Sequence, residues 1–358
     1  MIKVGYVPYS TNLQHPGDRR RLATWAANTG AKLNVTNPLD SDVLVLSNAA
    51  NFNYWLKRAK QPVVLDLVDG YLGEHPSPLK DISRNVVRSI KRTSDLHWIK
   101  YTNHLKAACL RSDAIIVASI EQQEIISKYN KNVYVILDDH SELDFDQHDE
   151  NPTENQVSKT PSRKYLFWEG FGYTLKHFEL IAKDLDRFLY ESGWGMYLLT
   201  TKEFPRWGGY IGSIDTRSLV KRWFPQSNEQ IEIVPWTIEA VKSHARKSTM
   251  AIIPVDSSDN FAALKSENKL LSMWHLELPT LFSPIPSYSR VATEAHEERA
   301  VVQDQEWFEI LQRFALSQVE CADLRRLSME YISHHHTHQL LMKKWDVVLT
   351  GMLRMNRI

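Results

Sequence analysis

The stretch 250–288 limits the possible folds of this chain more than any other part of the sequence. It opens with a short apolar run at 251–255, whose β-branched residues predict a buried strand. Turn-forming residues follow at 256–260, and apolar residues at helical spacing over 270–276 then predict a helix with one buried face. A second strand is predicted at 280–283. Strand, polar loop, helix and strand in this order form the repeating unit of a parallel α/β sheet.

A charged cluster stands where the polar loop of this stretch meets the helix. Parallel sheets bind ligands outside the carboxyl ends of their strands, next to helix N-termini. Lysine, serine and asparagine side chains at such a place can bind an anion, and we expect that anion to be a phosphate. An ordinary solvated helix start is the alternative interpretation. The cluster consists of Lys265, Ser266, Glu267, Asn268 and Lys269.

Composition narrows the class of protein. The 358 residues suit two domains of common size. Because 43 basic residues balance 43 acidic ones, the overall charge gives no argument for a nucleic-acid partner. Cys109 and Cys321 are the only cysteines, too few for a disulfide framework, and they indicate a reducing compartment. No secretory signal opens the chain and no apolar run approaches the roughly 18 residues of a membrane span, so we expect a cytoplasmic protein.

Strands and helices alternate through both halves of the chain, which predicts doubly wound α/β domains. In the first half, buried strands are predicted at 2–9, 43–46, 63–68, 114–118 and 133–137. Helices are predicted between them at 19–28, 54–60 and 121–129, and 79–110 is predicted to be a polar, basic helical stretch without a clean single face. The second half repeats the pattern with strands at 165–168, 196–200 and 231–236 and helices at 175–190 and 238–246. After 288 the chain is predicted to be helical at 307–316, 322–334 and 338–353.

An acidic, polar segment with prolines, 138–163, interrupts this alternation and is the best predicted linker. We therefore expect a first Rossmann-like domain over 1–150, a second over 151–335, and a C-terminal helix over 336–358 that packs back on the first.

Two groups of side chains also suggest metal sites. They are the acidic and histidine side chains of the linker, and His334 with His338 four residues later. We favour a solvated linker and a polar helix junction, because no third ligand or supporting scaffold is recognisable, and we expect no metal.

Two loops outside the charged cluster carry further candidate residues. Gly170 and Gly172 form a turn that lets backbone approach a ligand, and the helix that follows points its N-terminus at the same place. This turn lacks the third glycine of a dinucleotide-binding fingerprint. In the first half, Asp69 follows a buried strand, and it can be catalytic, bind a substrate hydroxyl or cap the next turn. His15 and Asp18 are polar candidates in the loop after the first strand.

Several segments resemble the GT-B glycosyltransferases, most closely the bacterial "glycosyl transferases group 1" (family 4-like) enzymes. The resemblance covers nearly the whole chain, and the segments that carry it are 167–170, 175–177, 252–254, 265–269 and 278–280. It implies two Rossmann-like domains, for acceptor and donor, with a C-terminal helix crossing back to the first. It implies a hexosyltransferase-like enzyme that moves a sugar from a nucleotide-sugar, most simply a UDP- or GDP-sugar, to a glycan or lipid-linked acceptor. Such enzymes need no metal or other cofactor.

The resemblance also implies site residues. The donor would be bound by Gly170, Gly172, Lys176, Lys265, Ser266, Asn268, Lys269 and Ser272. The catalytic candidates are Asp69, His15 and Glu267. Two binding positions depart from the family pattern: Phe171 stands where an arginine is expected, and Ser272 where a glutamate holds the ribose hydroxyls. Glu277 also replaces the glycine that usually precedes the proline. Glu267 could take over that ribose contact, and whether the reaction inverts or retains the anomeric centre stays open.

Three further alternatives follow from the sequence. A non-catalytic GT-B-like protein that binds a sugar or a partner in a polysaccharide-assembly system would explain the two departures. An NAD-dependent enzyme is disfavoured, because the segment 6–11 lacks GxGxxG. Peripheral contact with the inner membrane face is a third expectation, and its basic residues would be Arg84, Arg88, Lys91, Arg92 and Lys100.

Overall fold

The chain folds into two compact units. A computed structural model describes residues 2–74, 76–91, 93–94, 99–145, 163–205 and 212–355. The first unit contains Met1–Asp139, Asp259–Asn268 and His335–Ile358, and the second contains His140–Ser258 and Lys269–His334. The domain boundary predicted at residue 150 lies outside the described residues.

The first unit is built on a six-stranded parallel sheet. Its strands are β1 (Lys3–Val7), β2 (Lys32–Asn34), β3 (Val43–Ser47), β4 (Val63–Leu67), β5 (Ala114–Val117) and β6 (Val133–Val135). Their spatial order is β2-β1-β3-β4-β5-β6. Strands β3, β4 and β5 are buried along their whole length, which explains their continuous apolar sequences. The order changes direction between β1 and β3, the switch point of this sheet.

Helices cover both faces of the first sheet. They are α1 (Pro16–Arg19), α2 (Leu22–Thr29), α3 (Phe52–Arg58), α4 (Pro78–Ile90), α5 (Tyr101–Arg111) and α6 (Ile120–Ile126). Trp25 of α2 packs with one set of alternating strand residues, and Phe52 and Leu105 pack with the other set, so they lie on opposite faces. Helix α2 ends at Gly30, whose φ of 68° confirms the predicted helix stop.

Two helical segments predicted in the first half are each divided in the structure. The helix predicted over 19–28 is interrupted between α1 and α2, because Arg21 has non-helical backbone angles and its side chain is fully buried. The Arg21 guanidinium donates to Asp66 Oδ1 at 2.6 Å, to the Ile136 carbonyl at 2.8 Å and to Asp138 Oδ1 at 3.0 Å. The helical stretch predicted over 79–110 forms the two helices α4 and α5.

The second unit is built on a five-stranded parallel sheet and a short antiparallel pair. Its strands are β7 (Tyr165–Glu169), β8 (Gly195–Leu199), β9 (Glu203–Pro205), β10 (Ser213–Asp215), β11 (Ile231–Val234), β12 (Met250–Ile253) and β13 (Thr280–Phe282). The parallel order is β11-β8-β7-β12-β13, and β9 pairs with β10. The switch point of this sheet therefore lies between β7 and β12.

Nine α-helices of the described residues remain, and one of them, α11, completes the unit predicted in the stretch 250–288. They are α7 (Phe178–Ser192), α8 (Thr216–Trp223), α9 (Ile238–Ala245), α10 (Asn260–Ala263), α11 (Asn268–His275), α12 (Pro286–Glu294), α13 (Trp307–Leu316), α14 (Gln318–His335) and α15 (His338–Met355). Strand β12, helix α11 and the neighbouring parallel strand β13 form the predicted unit. Strands β2, β9 and β10 were not predicted, because three-residue strands with partly exposed side chains leave little pattern.

The C-terminal helix α15 belongs to the core of the first unit. Its residues Leu341, Trp345 and Leu349 pack in one cluster with Trp25. The Trp25 indole Nε1 also donates to Asp346 Oδ1 at 2.7 Å. None of the described helices is long and apolar enough to cross a membrane.

The two histidines considered as a metal pair lie on different helices. His334 is near the end of α14, whereas His338 begins α15, so the two side chains do not share a helix face. The imidazole Nδ1 of His338 hydrogen-bonds to a carboxylate oxygen of Asp139 instead. The break at 336–337 is the physical reason, since it separates the two side chains into different units.

A buried carboxyl in the second unit should make stability depend on pH. Glu297 is fully buried, and burial raises the pKa of its carboxyl to about 8, although Arg299 and the Ser328 backbone oppose this. Unfolding exposes the group, which then ionises above its ordinary pKa of 4.5. Because the unfolded state releases a proton that the folded state keeps, stability falls as pH rises from 4.5 to about 8.

We predict that Glu297→Gln stabilises the protein at pH 7, because the amide imitates the protonated carboxyl. At about 1.36 kcal/mol for each pKa unit, the gain at pH 7 is on the order of 3 kcal/mol. Thermal unfolding at pH 5 and pH 7.5, followed by circular dichroism, should show a larger gain at the higher pH. Glu298→Gln, at an exposed neighbouring position, is the control. Equal gains at both pH values would contradict the prediction.

Candidate functional site at the carboxyl edge of the second sheet

The switch point of the second sheet brings two loops together. Strand β7 ends at Glu169 and leads into the glycine turn, while the loop after β12 contains Asp256. The Asp256 backbone N–H donates to the imidazole Nδ1 of buried His177 at 3.2 Å, which ties the two loops to each other. The Glu169 carboxylate accepts from the indole Nε1 of Trp236 at 2.8 Å. These contacts fix the backbone at the place where such sheets bind ligands.

A lysine ammonium is held over this glycine turn. Lys269, in the first turn of α11, places its Nζ 4.1 Å from the centre of the Trp168 ring, within cation–π distance. A Cβ added to Gly170 would lie 2.9 Å from that Nζ and 3.0 Å from the Trp168 ring. Glycine at 170 therefore leaves room for the ammonium. A fixed cation beside bare backbone, at the N-terminus of α11, can bind an anionic group.

The second glycine of the turn is required by packing. Gly172 is buried, and a Cβ there would lie 2.3 Å from Cδ1 of the Phe204 ring. Residues Gly172–His177 continue as a 3₁₀ helix that carries Lys176 on its exposed side. The structure therefore places Gly170, Lys176 and Lys269 around one edge of the second sheet.

The charged cluster 265–269 is divided between the two units. The segment Asp259–Asn268 packs within the first unit, whereas Lys269 begins the next part of the second unit. Three contacts hold the segment there. Leu264 packs against Gly70 and Gly73, where a Cβ would come within 2.9 and 2.4 Å of it. The Phe261 and Tyr71 rings lie 5.2 Å apart, and the Asp138 backbone N–H donates to Asn268 Oδ1 at 3.1 Å. Lys265, Ser266 and Glu267 therefore lie in the first unit.

Two predicted ribose-binding side chains are buried. Glu267 is 3% exposed, and its negative charge opposes the lowering of the Lys344 pKa that burial causes. Ser272 is 2% exposed, and its hydroxyl donates to the Lys269 carbonyl at 2.8 Å, within its own helix. These positions give the two side chains structural contacts and little access to solvent, and their role in donor binding stays a prediction.

Asp69 follows β4 in the first unit and is exposed to solvent. Desolvation by the surrounding protein raises the pKa of its carboxyl, while the Lys265 ammonium and the Tyr71 hydroxyl lower it. The carboxyl of Asp138 raises the pKa further. A carboxylate with a raised pKa is a better proton acceptor than an ordinary one, so Asp69 fits the chemistry of a general base.

His15 caps helix α1, and this contact defines its tautomer. The Gly17 backbone N–H donates to His15 Nδ1 at 3.1 Å, so Nδ1 is an acceptor and the proton of the neutral ring is on Nε2. The ring stacks on Tyr9 at 4.6 Å, and desolvation lowers its pKa although Asp18 and Asp138 oppose this. His15 is thereby prepared to donate a hydrogen bond from Nε2.

Asp18 is a structural residue of the same loop. It is fully buried and accepts hydrogen bonds from the Tyr6 hydroxyl at 2.7 Å and from the backbone N–H groups of Tyr9 and Ser10 at 2.8 and 2.9 Å. The Ser10 hydroxyl adds a fourth bond at 3.0 Å. Because its oxygens accept four hydrogen bonds from three residues, Asp18 shapes the loop after β1.

Two arginines of the predicted basic stretch are directed into the first unit. The Arg84 guanidinium pairs with Glu74 at 2.7 Å and lies 4.8 Å from the centre of the Tyr71 ring. Arg88 lies 4.8 Å from the Tyr101 ring and donates to the Ala50 carbonyl at 3.1 Å. Both guanidinium groups therefore make contacts within the first unit, and the peripheral membrane contact of the basic stretch stays a prediction. Arg92 lies outside the described residues.

Comparison with known proteins identifies the architecture. No protein-family model matches the sequence, and no curated protein is found as a relative. Among solved structures, HepE from Anabaena, in complex with UDP and glucose, matches with a TM-score of 0.65 over 98% of this chain and 100% of HepE, at 10% identity. WaaG, a glycosyltransferase involved in lipopolysaccharide biosynthesis, matches with a TM-score of 0.54 over 97% and 99% of the two chains, at 9% identity. The fold is GT-B.

A third GT-B neighbour is longer than this chain. TarM, from S. aureus, matches with a TM-score of 0.56 at 10% identity, over 87% of this chain and 54% of TarM. This chain therefore spans about half the length of TarM. At these identities the GT-B fold is what the chain shares with its neighbours, and the chemistry must be argued from its own residues.

Several contacts of this candidate site were not predicted from the sequence. The pairing of Lys269 with Trp168 joins residues about one hundred positions apart, and the bond between His177 and Asp256 joins two loops of different strands. Phe171 and Tyr173 lie exposed on either side of Gly172. The adjacent pattern of aromatic, glycine and aromatic residues was the one local signal for this pair.

We predict that Gly172→Ala destabilises the protein by about 1–3 kcal/mol, because the new methyl group overlaps the Phe204 ring. Thermal unfolding of Gly172→Ala should show the loss, and the same substitution in a Phe204→Ala background should show much less of it. Gly351→Ala is the matched control, since a Cβ there meets nothing within 4 Å. An equal loss in both backgrounds would show that Phe204 is not the cause.

Proposed function

We propose that this protein transfers a sugar from a nucleotide-diphosphate-sugar donor to a hydroxyl group of a glycan or lipid-linked acceptor. The observation that carries this proposal is the Lys269 ammonium, held over the Trp168 ring and against Gly170 at the switch point of the second sheet. This place in a doubly wound sheet is where nucleotides bind. HepE, a GT-B neighbour, was solved with UDP and glucose, which makes a UDP-sugar the first donor to test.

The proposed chemistry rests on charge stabilisation. Breaking the bond between the sugar and the diphosphate places negative charge on the leaving group. Lys269, exposed Lys176 and the N-terminal N–H groups of α11 would stabilise this charge more strongly in the transition state than in the bound donor. Because the indole of Trp168 fixes the ammonium in advance, little reorganisation is needed at the moment of reaction. In this proposal the protein's own cations do the work that a metal ion does in other enzymes.

The first unit supplies groups that fit an acceptor hydroxyl. Asp69 has the raised pKa of a general base, and His15 presents a protonated Nε2 that can donate a hydrogen bond to an acceptor oxygen. An inverting reaction needs a base for the hydroxyl proton, and Asp69 is our candidate. A retaining reaction would leave Asp69 as a binding group. The proposal includes a cytoplasmic location.

A specific observation favours a second candidate, a non-catalytic GT-B protein that binds a sugar or a partner. Ser272, which stands at the expected ribose-binding glutamate, provides no carboxylate, and its hydroxyl is turned back onto the Lys269 carbonyl. A bound donor would then lack the carboxylate contact to its ribose hydroxyls. Both candidates use the same anion site, so a nucleotide-binding measurement tests the site itself. Turnover of a nucleotide-sugar donor then distinguishes the transferase from the non-catalytic protein.

We predict that one nucleotide class raises the melting temperature in a thermal-shift screen of UDP-, GDP-, ADP- and CMP-sugars and their free nucleotides. A ligand at about 100 times its Kd stabilises the folded state by about 2.7 kcal/mol. Lys269→Ala and Lys176→Ala should weaken binding about tenfold or more, because each removes a charge-assisted contact.

The control is Lys183→Ala, which removes an exposed lysine from α7 in the same unit. It should bind the nucleotide as the unchanged protein does. If no nucleotide produces a shift, or if the three lysine variants behave alike, the anion site is not a donor site.

A further inference from the structure

Two exposed aromatic rings stand beside the anion site of the second unit. Phe171 is 53% exposed and Tyr173 is 62% exposed. Their ring centres lie 5.6 Å apart with an angle of 8° between the planes, so the rings are nearly parallel. Among the stacked aromatic pairs of the described residues, this is the one in which both members are tyrosine or phenylalanine and both are exposed. A pair of exposed rings offers apolar surface that a ligand can cover, which is favourable because that surface leaves water.

The turn that carries these rings is held firmly. The Thr174 backbone N–H and hydroxyl both donate to the Phe171 carbonyl, at 2.9 and 2.7 Å. Between the two rings, Gly172 is buried against the Phe204 side chain. On the other side, the Gly170 N–H donates to the Leu199 carbonyl at 3.1 Å. The rings are therefore displayed by fixed backbone and can receive a ligand without ordering a loop.

The position of the pair indicates what it would contact. Phe171 follows Gly170 directly, and Gly170 lies under the Lys269 ammonium. Lys176 continues the same turn three residues after Tyr173. In a nucleotide-sugar, the group bonded directly to the outer phosphate is a sugar. A pyranose ring has an apolar C–H face of about the size of an aromatic ring, and flat aromatic side chains suit such a face because they add contact area with little conformational entropy.

We propose that Phe171 and Tyr173 form a stacking platform for a sugar ring, either the sugar of the donor or a saccharide acceptor. This inference rests on the proposed function, since it uses the anion site to place the ring. In this proposal Phe171 and Tyr173 contact the sugar and make no contact with the nucleoside. The platform therefore distinguishes ligands that carry a sugar ring beyond the diphosphate from those that end at the diphosphate.

The test compares ring-bearing ligands with the bare nucleotide. Phe171→Ala and Tyr173→Ala are titrated calorimetrically with UDP and with UDP-glucose, or with the nucleotide class that the thermal-shift screen selects. Each variant is also examined by saturation-transfer NMR with methyl glycosides of glucose, galactose, mannose and N-acetylglucosamine, irradiating the aromatic protons. Tyr173→Phe keeps the ring, and Tyr190→Ala removes a ring that is 59% exposed on α7. Both should behave as the unchanged protein does.

Two results would support the platform. If it holds the donor sugar, the alanine variants bind UDP-glucose about three- to tenfold more weakly while the affinity for UDP stays unchanged. If it holds an acceptor, the saturation-transfer signal of at least one glycoside is lost in the alanine variants and kept in the controls, with UDP-glucose binding unchanged.

Two results would overturn it. An equal loss of affinity for UDP and for UDP-glucose would mean that the rings serve the nucleoside or merely support the turn. Unchanged binding of every nucleotide-sugar and no ring-dependent signal from any glycoside would remove the platform. If the unchanged protein binds no nucleotide, the proposed function fails by itself, and the glycoside measurements still decide whether the rings bind a sugar.

Discussion

The carboxyl edge of the first sheet depends on one buried guanidinium. Arg21 and Asp66 have no solvent exposure, and the arginine also binds Asp138 and the Ile136 carbonyl. It therefore connects the start of α2, the middle strand β4 and the chain that leaves β6. Removing one partner of such a buried pair typically costs about 3–5 kcal/mol, because the other charge stays buried without compensation. Asp138 in turn donates its backbone N–H to Asn268, so the segment Asp259–Asn268 is anchored to the same network.

The turn after β7 in the second unit requires glycine at two positions, because a side chain at either one would meet a neighbouring group. Gly170 leaves room for an ammonium, and Gly172 leaves room for the Phe204 ring. One glycine therefore serves the electrostatics of the site, and the other serves the packing of the turn that carries it. The cation above Gly170 is in turn fixed by the Trp168 indole. The proposed anion site and the local packing of Phe204 are thus built on the same short turn.

Local sequence patterns predicted most of the architecture. Apolar β-branched runs located β1, β3, β4, β5, β7, β8 and β12, and helical spacing located α13 with its observed ends. The same patterns could not show contacts made over long distances in sequence. Arg21 resembles any residue of a basic helix start until Asp66 is placed beside it, and Arg84 resembles a surface cation until Glu74 and Tyr71 are near. The assignment of Asp259–Asn268 to the first unit depends on Gly70 and Gly73, nearly two hundred residues earlier.

The most direct test of the central claim is donor turnover in the absence of acceptor. The protein would be incubated with UDP-glucose, or with the nucleotide-sugar that it binds best, and the released nucleoside diphosphate would be measured against time. A transferase should release the diphosphate slowly by hydrolysis, at a rate above the uncatalysed background that falls in Lys269→Ala. Tight binding with no release above background, with and without a panel of saccharide acceptors, would contradict catalysis and leave a sugar-binding GT-B protein.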